Sequence, residues 1–250
     1  MSLLTSKEWI EFLLNIKRAK EELKNPKTVW FRGQGSSNHY LLPSLLRYTN
    51  GVELEQNSFH KFRRFADKIF QNKDSEWETL FDMQHYGIPT RLIDWTETLG
   101  IALFFAAYNN KVFKNGGDAA IYLLNPFELN KESGIDKIYK IPYDEKEFSY
   151  SGIYWYKKPF KAAAPIAIEP IFRNDRIIAQ RGMFTVHHDK IEPIENEFPN
   201  AIRKVILPNN AILSALEFLE IASIDEFSVF PDLSGVAGYM KNTSGLIYRW

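Results

Sequence analysis

The sequence predicts a single α+β domain, and three observations lead to that fold class. Segments with helical spacing of apolar residues alternate with short β-like segments along the 250 residues. No glycine- or serine-rich linker and no internal repeat divides the chain. The composition, 45% hydrophobic and 25% charged, is ordinary for a globular domain.

The first half of the chain begins with an amphipathic helix. Thr5 followed by Glu8 three residues later is a capping-box pattern, and Asn25-Pro26 ends the helix because proline disfavours helical backbone in the residue before it. The elements predicted here are a helix over 6–24, a strand at 28–34, a helical pattern over 52–83, a strand at 90–96 and a buried helix over 96–109.

The second half begins with a turn at residues 114–118, which are rich in asparagine, glycine and aspartate. Residues 126–165 carry many tyrosines without a clear period, and we expect an irregular, aromatic-rich insertion there. The other predicted elements are strands at 119–125, 176–187 and 201–208, a helix over 210–222 and a last short helix within 230–241. We place the main domain at residues 28–250, preceded by an N-terminal helix within 1–27.

Charge and cysteine content disfavour several classes of function. With 31 basic and 31 acidic residues the net charge is zero, which does not favour sequence-independent binding of nucleic acid. The absence of cysteine excludes a disulfide partner and thiolate metal sites. No basic leader precedes an apolar run at the N-terminus, and the longest apolar run, Gly100–Tyr108, is too short to cross a bilayer. We therefore expect a cytoplasmic protein without a membrane partner.

Familiar catalytic and metal-binding motifs are missing from the sequence. It contains no phosphate loop, no dinucleotide fingerprint, no paired-histidine zinc helix and no nucleophile elbow. Of the five histidines only His187 and His188 are close in sequence, and neighbours on a strand point to opposite faces. We therefore predict no metal site.

The segment VWFRGQ contains an arginine inside an apolar strand. On a strand, Trp30, Arg32 and Gln34 share one face. They could form a ligand wall, because a planar guanidinium suits two-point recognition of phosphate or diol oxygens. Gly33 would let a ligand or another backbone approach closely. The alternative is that Arg32 pairs with a buried carboxylate and Gly33 makes a turn.

The segment QHYGIPTRLIDWTETLG places polar residues directly before an apolar helix. Thr90, Asp94 and Thr96 share one strand face. Asp94 with Glu97 three residues later is also a capping pattern, which predicts that Asp94 is an N-cap. Because a helix N-terminus attracts anions, these polar residues and Trp95 could instead bind a ligand beside the cap.

Two later segments carry weaker signals. In QRGMFTV, Gln180, Gly182 and Phe184 share a face if the strand is regular, and Gln180 would either orient a substrate or bond to the backbone. In FPDLSGV, Asp232 followed by Ser234 is typical of a turn and a helix cap.

Taken together, five segments closely resemble the FRG domain family, which is named for the Phe-Arg-Gly at residues 31–33. They are FRGQ, LLPSLLR, QHYGIPTRLIDWTETLGIALFFAAY, QRGMF and FPDLSGVAGY, and they span about residues 28–240. The central QHYGIPTRLIDWT is the specific part. Members of this family are mostly bacterial and often lie near phage-defence or mobile-element genes, so the resemblance implies a role in defence or toxicity.

A more distant similarity is to ADP-ribosyltransferases of the arginine-serine-glutamate type. Arg32 is similar to their first-strand arginine, and DWTETLGIALFFA is similar to their second element, with Thr96 at the polar position. RIIAQRGMF stands where their glutamate strand lies, but Gln180 replaces the acid and Gly182 stands where a second acid could be. A glutamine can orient a ribose hydroxyl but cannot act as a carboxylate base, which moves the acidic role to Asp94 or to another residue.

These resemblances imply a split mixed β-sheet with a central cleft, flanked by helices as in the ADP-ribosyltransferases. NAD would bind in the cleft as a substrate, and ADP-ribose would pass to an unknown macromolecular acceptor, protein or nucleic acid. The catalytic residues implied are Arg32, Asp94 and Gln180. The NAD-binding residues implied are Arg32, Gly33, Gln34, Tyr86, Thr90, Arg91, Trp95, Thr96 and Phe184.

Two other functions remain open at the level of the sequence. The same pocket could belong to a non-catalytic sensor that binds a nucleotide or a peptide. A nucleic-acid-processing enzyme could be built on His85, Asp94 and the basic residues 61–64, although the neutral net charge counts against it.

Overall fold

A computed structural model describes residues 3–70, 75–112, 116–162, 165–172 and 175–244. Its helices are α1 (Lys7–Glu22), α2 (Gly51–Phe70), α3 (Glu76–His85), α4 (Leu99–Val112), α5 (Pro126–Glu132), α6 (Asp175–Gln180), α7 (Ile194–Glu197), α8 (Ile212–Ile221), α9 (Glu226–Val229) and α10 (Leu233–Thr243). Its strands are β1 (Trp30–Gln34), β2 (Leu92–Thr96), β3 (Ala119–Leu124), β4 (Tyr139–Ile141), β5 (Ile166–Pro170), β6 (Gly182–Val186) and β7 (Ile202–Leu207).

The strands in the described part of the chain form one mixed seven-stranded sheet in the order β4-β5-β6-β2-β1-β3-β7. β4 and β5 are parallel, and the other neighbouring strands of this sheet are antiparallel. Helices flank the sheet. The predicted single α+β fold with a mixed sheet is therefore confirmed for the described residues.

Apolar side chains cover both faces of the sheet, as the alternation along each strand requires. On one face, Trp30, Trp95 and Tyr122 lie in a single buried cluster. On the other face, Phe31 packs against a cluster built around α1, α4 and α8. Phe184 belongs to a second cluster on that face, built around α2 and α3. One face of the sheet is thus divided between two separate groups of helices.

The boundary between these two groups lies where β1 meets β2. β1 is in register with β3 over five residue pairs, but with β2 over a single pair, Phe31 with Thr96, and both strands are fully described. Directly opposite residues on antiparallel strands point to the same face. Since Asp94 is opposite Phe184 on β6, the side chains of Phe31, Thr96 and Asp94 all point to the divided face.

Several predicted elements agree with the structure, with changes at their ends. The first helix is confirmed, but its N-cap is Ser6, whose hydroxyl accepts a hydrogen bond from the Trp9 N–H, and not Thr5. The helical pattern over 52–83 corresponds to α2 and α3, and Ser75 caps the second of them. Asp232 caps α10, as its turn-and-cap pattern predicted.

Two interpretations of the sequence are wrong. Asp94 is not the N-cap of the apolar helix, because it lies in the middle of β2 and α4 begins only at Leu99. Residues 176–187 are not one strand, because Asp175–Gln180 form α6 and β6 begins at Gly182. Gln180 therefore ends a helix, where strand alternation does not apply to it.

The segment expected to be an irregular insertion, 126–165, contains regular structure. α5, β4 and a π-helical turn at Ser151–Trp155 lie within its described residues. Three of its tyrosines, Tyr139, Tyr150 and Tyr154, are buried in the core. These three tyrosines therefore fill the core beside α3. Of the turn predicted at 114–118, residues 114 and 115 lie outside the described residues.

Candidate functional site

A cavity of about 200 Å³ lies at the boundary between β1 and β2. Its floor is the divided face of the sheet, and residues of α3, α4 and α6 form its walls. Its polar and charged lining includes Arg32, Gln84, His85, Asp94, Arg176 and Gln180. The cavity therefore joins residues from Phe31 to Phe184, which are far apart in the sequence.

Arg32 lines this cavity where β1 and β2 diverge, although its position opposite Tyr122 of β3 places it on the Trp30 face of the sheet. Its side chain is 25% exposed, and Nη1 donates to the backbone oxygen of Asp94 at 2.7 Å. Among the described residues no acceptor contacts its Nε. Burial lowers the pKa of Arg32, and the carboxylate of Asp94 partly offsets this by raising it. A guanidinium has five N–H donors, so these contacts leave donors for a ligand.

Asp94 presents its carboxylate to the same cavity and is held there by a short chain of hydrogen bonds. Gln84 Nε2 donates to Asp94 Oδ2 at 2.7 Å, and Thr90 Oγ1 donates to Gln84 Oε1 at 2.5 Å. The Asp94 side chain is 48% exposed, and its Oδ2 lies 3.7 Å from Nη1 of Arg32. The carboxylate is therefore oriented by Gln84, yet remains open to a ligand.

Arg176 of α6 supplies a second guanidinium to the lining. Its Nη1 donates to the backbone oxygen of His85 at 3.3 Å, and its Cζ lies 4.6 Å from the centre of the Phe230 ring. Burial lowers the pKa of Arg176, while Asp94 and Asp232 raise it. The described lining thus contains two arginines and one carboxylate.

Thr96 and Gln180 fasten α6 to the edge of the cavity. Thr96 Oγ1 donates to the backbone oxygen of Gln180 at 2.6 Å and accepts from the Thr98 N–H at 3.0 Å. The Gln180 amide donates to the backbone oxygen of Val229 at 3.1 Å. Both side chains thus hold backbone in place, which is the alternative that the sequence left open for Gln180.

Aromatic rings form the apolar part of the lining. Phe31 and Phe105 lie on the side of β1 and α4, and Phe81 and Phe184 lie on the side of α3 and β6. The rings of Phe81 and Phe184 are stacked with their centres 4.6 Å apart. Flat apolar walls beside a few polar groups are typical of sites for small aromatic ligands.

Gly33 lines the cavity, but its lack of a side chain has a structural reason. A Cβ atom at this position would lie 1.8 Å from the backbone oxygen of Ala102 in α4. β1 and α4 therefore touch through Gly33, which is the close approach of another backbone that the sequence allowed.

Comparison with known families agrees with the sequence resemblance over this part of the chain. Residues 27–115 match the model of the FRG domain. The match supports an FRG domain at these residues of the chain. The matched region carries Arg32, Gln84 and Asp94, whereas Arg176 and Gln180 lie beyond it. Neither the search of curated proteins nor that of solved structures returned a match for the chain.

Other residues predicted for the site divide into two groups around this cavity. Gln34, Thr96 and Phe184 are part of its lining. The Trp95 indole points to the opposite face of the sheet, where its Nε1 donates to Thr185 Oγ1 at 3.0 Å. Trp95 therefore contributes only its backbone side to the cavity, and its ring is not placed to stack on a ligand there.

Tyr86, Thr90 and Arg91 lie outside the lining of the cavity. Tyr86 is exposed beside His85, with ring centres 4.6 Å apart. Thr90 is buried and acts on the site through Gln84. Arg91 is buried and pairs with Glu55 of α2, with Arg91 Nη2 2.5 Å from Glu55 Oε2. Arg91 thus joins β2 to α2, and its place is in the core.

The Arg91 network reaches further than this one ion pair. Arg91 Nη1 donates to Asp189 Oδ1 at 3.0 Å and to the backbone oxygen of His187 at 2.9 Å. Tyr150 donates a short hydrogen bond to Glu55. Burial by itself would lower the pKa of Arg91, but its hydrogen bonds to Glu55 raise that pKa well above the usual value. The network stabilises the core beside the cavity.

Sequence reasoning missed two polar residues of the site, Gln84 and Arg176. Gln84 lies in the segment that carried the family resemblance, and this is the signal that could have drawn attention to it; it is the next-to-last residue of α3. Arg176 was assigned to a strand, so its direction could not be predicted. The basic residues 61–64 lie on α2 and do not line the cavity.

Two further findings concern the described residues as a whole. None of their helices is long and apolar enough to cross a membrane. They also contain no group of three or more histidine, aspartate or glutamate side chains arranged to hold a metal ion.

Proposed function

We propose that the FRG domain binds NAD in this cavity and transfers its ADP-ribose to a macromolecular acceptor. The observation that carries the proposal is the pairing of Arg32 with Asp94, a guanidinium with free donors beside a half-exposed carboxylate. An ADP-ribosyltransferase-like architecture, and a role in bacterial phage defence or toxicity, are parts of this proposal that the family resemblance implies.

The cavity fits one end of NAD in charge, shape and size. Its arginines suit the diphosphate, and its aromatic walls suit a flat ring. Its volume of about 200 Å³ is below the roughly 300–1,000 Å³ usual for sites that enclose a whole drug-sized ligand. The cavity would therefore hold only part of the dinucleotide, and the remainder would lie along its mouth.

The residues present can support the transfer reaction. NAD supplies ADP-ribose, with nicotinamide leaving together with the electron pair of the bond that breaks. Arg32 would hold a phosphate or the ribose, and Gln84 would keep the carboxylate of Asp94 in a fixed orientation. Asp94 would accept the proton that the acceptor group loses as it bonds to the ribose carbon. The products are the modified acceptor, nicotinamide and one proton.

A second candidate function is a sensor that binds the nucleotide without consuming it. The amide of Gln180 is committed to the backbone of Val229, and an amide cannot take a proton as a base. Among the described residues of the lining, Asp94 is the one carboxylate. If Asp94 serves only to orient Arg32, the site binds its ligand and does not turn it over.

The test is release of nicotinamide, measured by mass spectrometry after the protein is incubated with NAD and cell lysate. The transferase predicts release by the wild type, strong loss in Asp94→Asn, and no loss in Asp136→Asn, which changes an exposed aspartate outside the cavity. Binding of NAD without release would favour the sensor. Equal release by Asp94→Asn and the wild type would contradict the role given to Asp94.

A further inference from the structure

The segment LLPSLLR carries part of the family resemblance, but none of its described residues lines the cavity. Its serine, Ser44, precedes the 3-10 turn Leu45–Arg47, where a serine usually serves as the N-cap, yet its hydroxyl makes no capping bond. Ser44 Oγ instead accepts from the Thr90 N–H at 3.2 Å and donates to the Thr90 backbone oxygen at 3.4 Å. The Leu45 N–H donates to the same oxygen at 3.0 Å. LLPSLLR therefore holds the backbone of Thr90.

The side chain of Thr90 connects this contact to the cavity. Thr90 is buried, and its Oγ1 accepts from the Leu92 N–H at 3.1 Å and donates to Gln84 Oε1 at 2.5 Å. Gln84 Nε2 then donates to Asp94 Oδ2 at 2.7 Å. A backbone N–H only donates and a carboxylate only accepts. The chain of hydrogen bonds therefore runs in one direction, from Leu92 to Asp94, and it fixes which end of the Gln84 amide faces the carboxylate.

The two oxygens of the Asp94 carboxylate have different surroundings. Oδ2 accepts from Gln84 and lies 3.7 Å from Nη1 of Arg32. Among the described residues no group donates a hydrogen bond to Oδ1, and the side chain is half exposed to the cavity. Oδ1 is thus the oxygen that has acceptor capacity left for a ligand.

We propose that Ser44 and Thr90 are positioning residues for Asp94, and that Oδ1 is the oxygen that contacts the acceptor group. Ser44 fixes the backbone of Thr90, and Thr90 fixes the amide of Gln84. Because that amide holds Oδ2, the carboxylate keeps Oδ1 toward the cavity. In the transfer reaction Oδ1 takes the proton that the acceptor group loses. The inference rests on the proposed function for this last step, whereas the chain of hydrogen bonds can be measured without turnover.

The test is the nuclear magnetic resonance spectrum of the Gln84 side-chain amide, assigned by its loss in Gln84→Leu. Thr90→Val removes the hydroxyl and keeps the branched shape, Thr90→Ser keeps the hydroxyl, and Ser44→Ala removes the hydroxyl of the serine. Thr79→Val is the matched control, because Thr79 is a buried threonine on the same helix as Gln84, and its hydroxyl donates to the Ser75 backbone oxygen. Melting curves establish that each variant is folded.

In the wild type the two amide protons of Gln84 should resonate well apart, because one of them is bonded to a carboxylate. Thr90→Val should move them toward the positions of a free glutamine, and Ser44→Ala should move them the same way by less. Thr90→Ser and Thr79→Val should leave them near the wild type. The kcat for nicotinamide release should fall about tenfold in Thr90→Val and about threefold in Ser44→Ala, with KM for NAD nearly unchanged.

Asp94→Asn tests the assignment of the two oxygens. Its amide oxygen can accept from Gln84 in place of Oδ2, so the Gln84 resonances should stay near the wild type. Nicotinamide release should be lost, because an N–H then stands in place of Oδ1. Gln84 resonances at the positions of a free glutamine in Asp94→Asn would overturn the assignment.

Gln84 resonances that Thr90→Val leaves unchanged would overturn the positioning roles, as would equal effects of Thr90→Val and Thr79→Val. If Thr90→Val does not fold, Ser44→Ala decides by the same criteria. The expected shifts without nicotinamide release by the wild type would support the positioning roles and reject the transferase, and with it the role of Oδ1 as a base. Nicotinamide release with unchanged resonances in both variants would do the reverse.

Discussion

Nη1 of Arg32 lies 2.7 Å from the backbone oxygen of Asp94 and 3.7 Å from the carboxylate Oδ2 of the same residue. The shorter contact is with a neutral carbonyl across the point where β1 and β2 diverge. The carboxylate is nearby, but its own hydrogen bond is with Gln84. Arg32 is therefore positioned by Asp94 without being closed off in a buried salt bridge, which favours a role in binding.

The hydrogen bond from Gln84 makes it a positioning residue for Asp94. In Gln84→Leu the carboxylate loses its donor and Thr90 loses its acceptor. We expect kcat for nicotinamide release to fall about tenfold, since one charged hydrogen bond is worth about 1.5–3 kcal/mol, with little change in KM for NAD. A steady-state series over NAD concentration measures both. A change in KM alone would mean that Gln84 acts on binding.

Alanine should affect the stability of the fold very differently at two glycines of the cavity, Gly33 and Gly182. An alanine Cβ at Gly33 would lie 1.8 Å from the Ala102 backbone oxygen, whereas at Gly182 the nearest atom, on Ile177, would be 3.5 Å away. Gly33→Ala should destabilise the fold by about 3 kcal/mol or more, because neither backbone can move aside. Denaturant unfolding of both variants measures this, with Gly182→Ala as the control. Similar stabilities would show that β1 and α4 can separate.

Breaking the buried ion pair of Arg91 with Glu55 should lower the stability of the fold and leave the cavity intact. Glu55→Ala would leave the Arg91 charge buried without its main partner, which costs about 3–5 kcal/mol. Glu53→Ala on the exposed face of the same helix is the matched control. In thermal unfolding, the melting temperature should fall strongly for Glu55→Ala and stay close to that of the wild type for Glu53→Ala. If the Glu55→Ala protein, once folded, failed to bind NAD, the separation of the network from the cavity would be wrong.

His187 predicts a loss of stability in mild acid. Burial lowers its pKa to about 3, while a histidine in the unfolded chain titrates near 6.5. Between those values the unfolded state binds a proton that the folded state does not, so stability falls as the pH falls from about 6.5 toward 3, by at most about 1.4 kcal/mol per pH unit.

The measurement is the free energy of unfolding from pH 7.5 to pH 4 for the wild type, His187→Gln and the exposed control His39→Gln. His187→Gln should show a smaller decrease in the free energy of unfolding as the pH falls, and His39→Gln should show the same decrease as the wild type. A slope that is the same in all three proteins would assign the acid sensitivity to other groups.

Much of the site could be predicted because strand alternation is a short-range rule. The faces of Thr96, Asp94 and Phe184 follow from a period of two, and the order of strands and helices follows from apolar spacing. Arg32 was found because a charge inside an apolar strand requires an explanation. These features depend on residues within a few positions of one another.

The parts of the fold and of the site that could not be predicted depend on contacts between distant residues, or on elements too short to show a periodic spacing of apolar residues. α6 has six residues, fewer than two turns, so Arg176 and Gln180 were assigned to a strand. The partner of Arg91 is Glu55, 36 residues earlier, and nothing in either segment identifies the other. The capping pattern at Asp94 was misleading because the same residue types also serve in a strand beside a cavity.

The most direct test of the central claim is a calorimetric titration of NAD into the wild type and into Arg32→Gln, with Arg18→Gln as the control. We expect binding at one saturable site in the wild type and in the control, and an affinity at least about tenfold lower in Arg32→Gln, because a charged contact to the phosphate is lost. No binding by the wild type at millimolar NAD, or equal binding by Arg32→Gln, would contradict it.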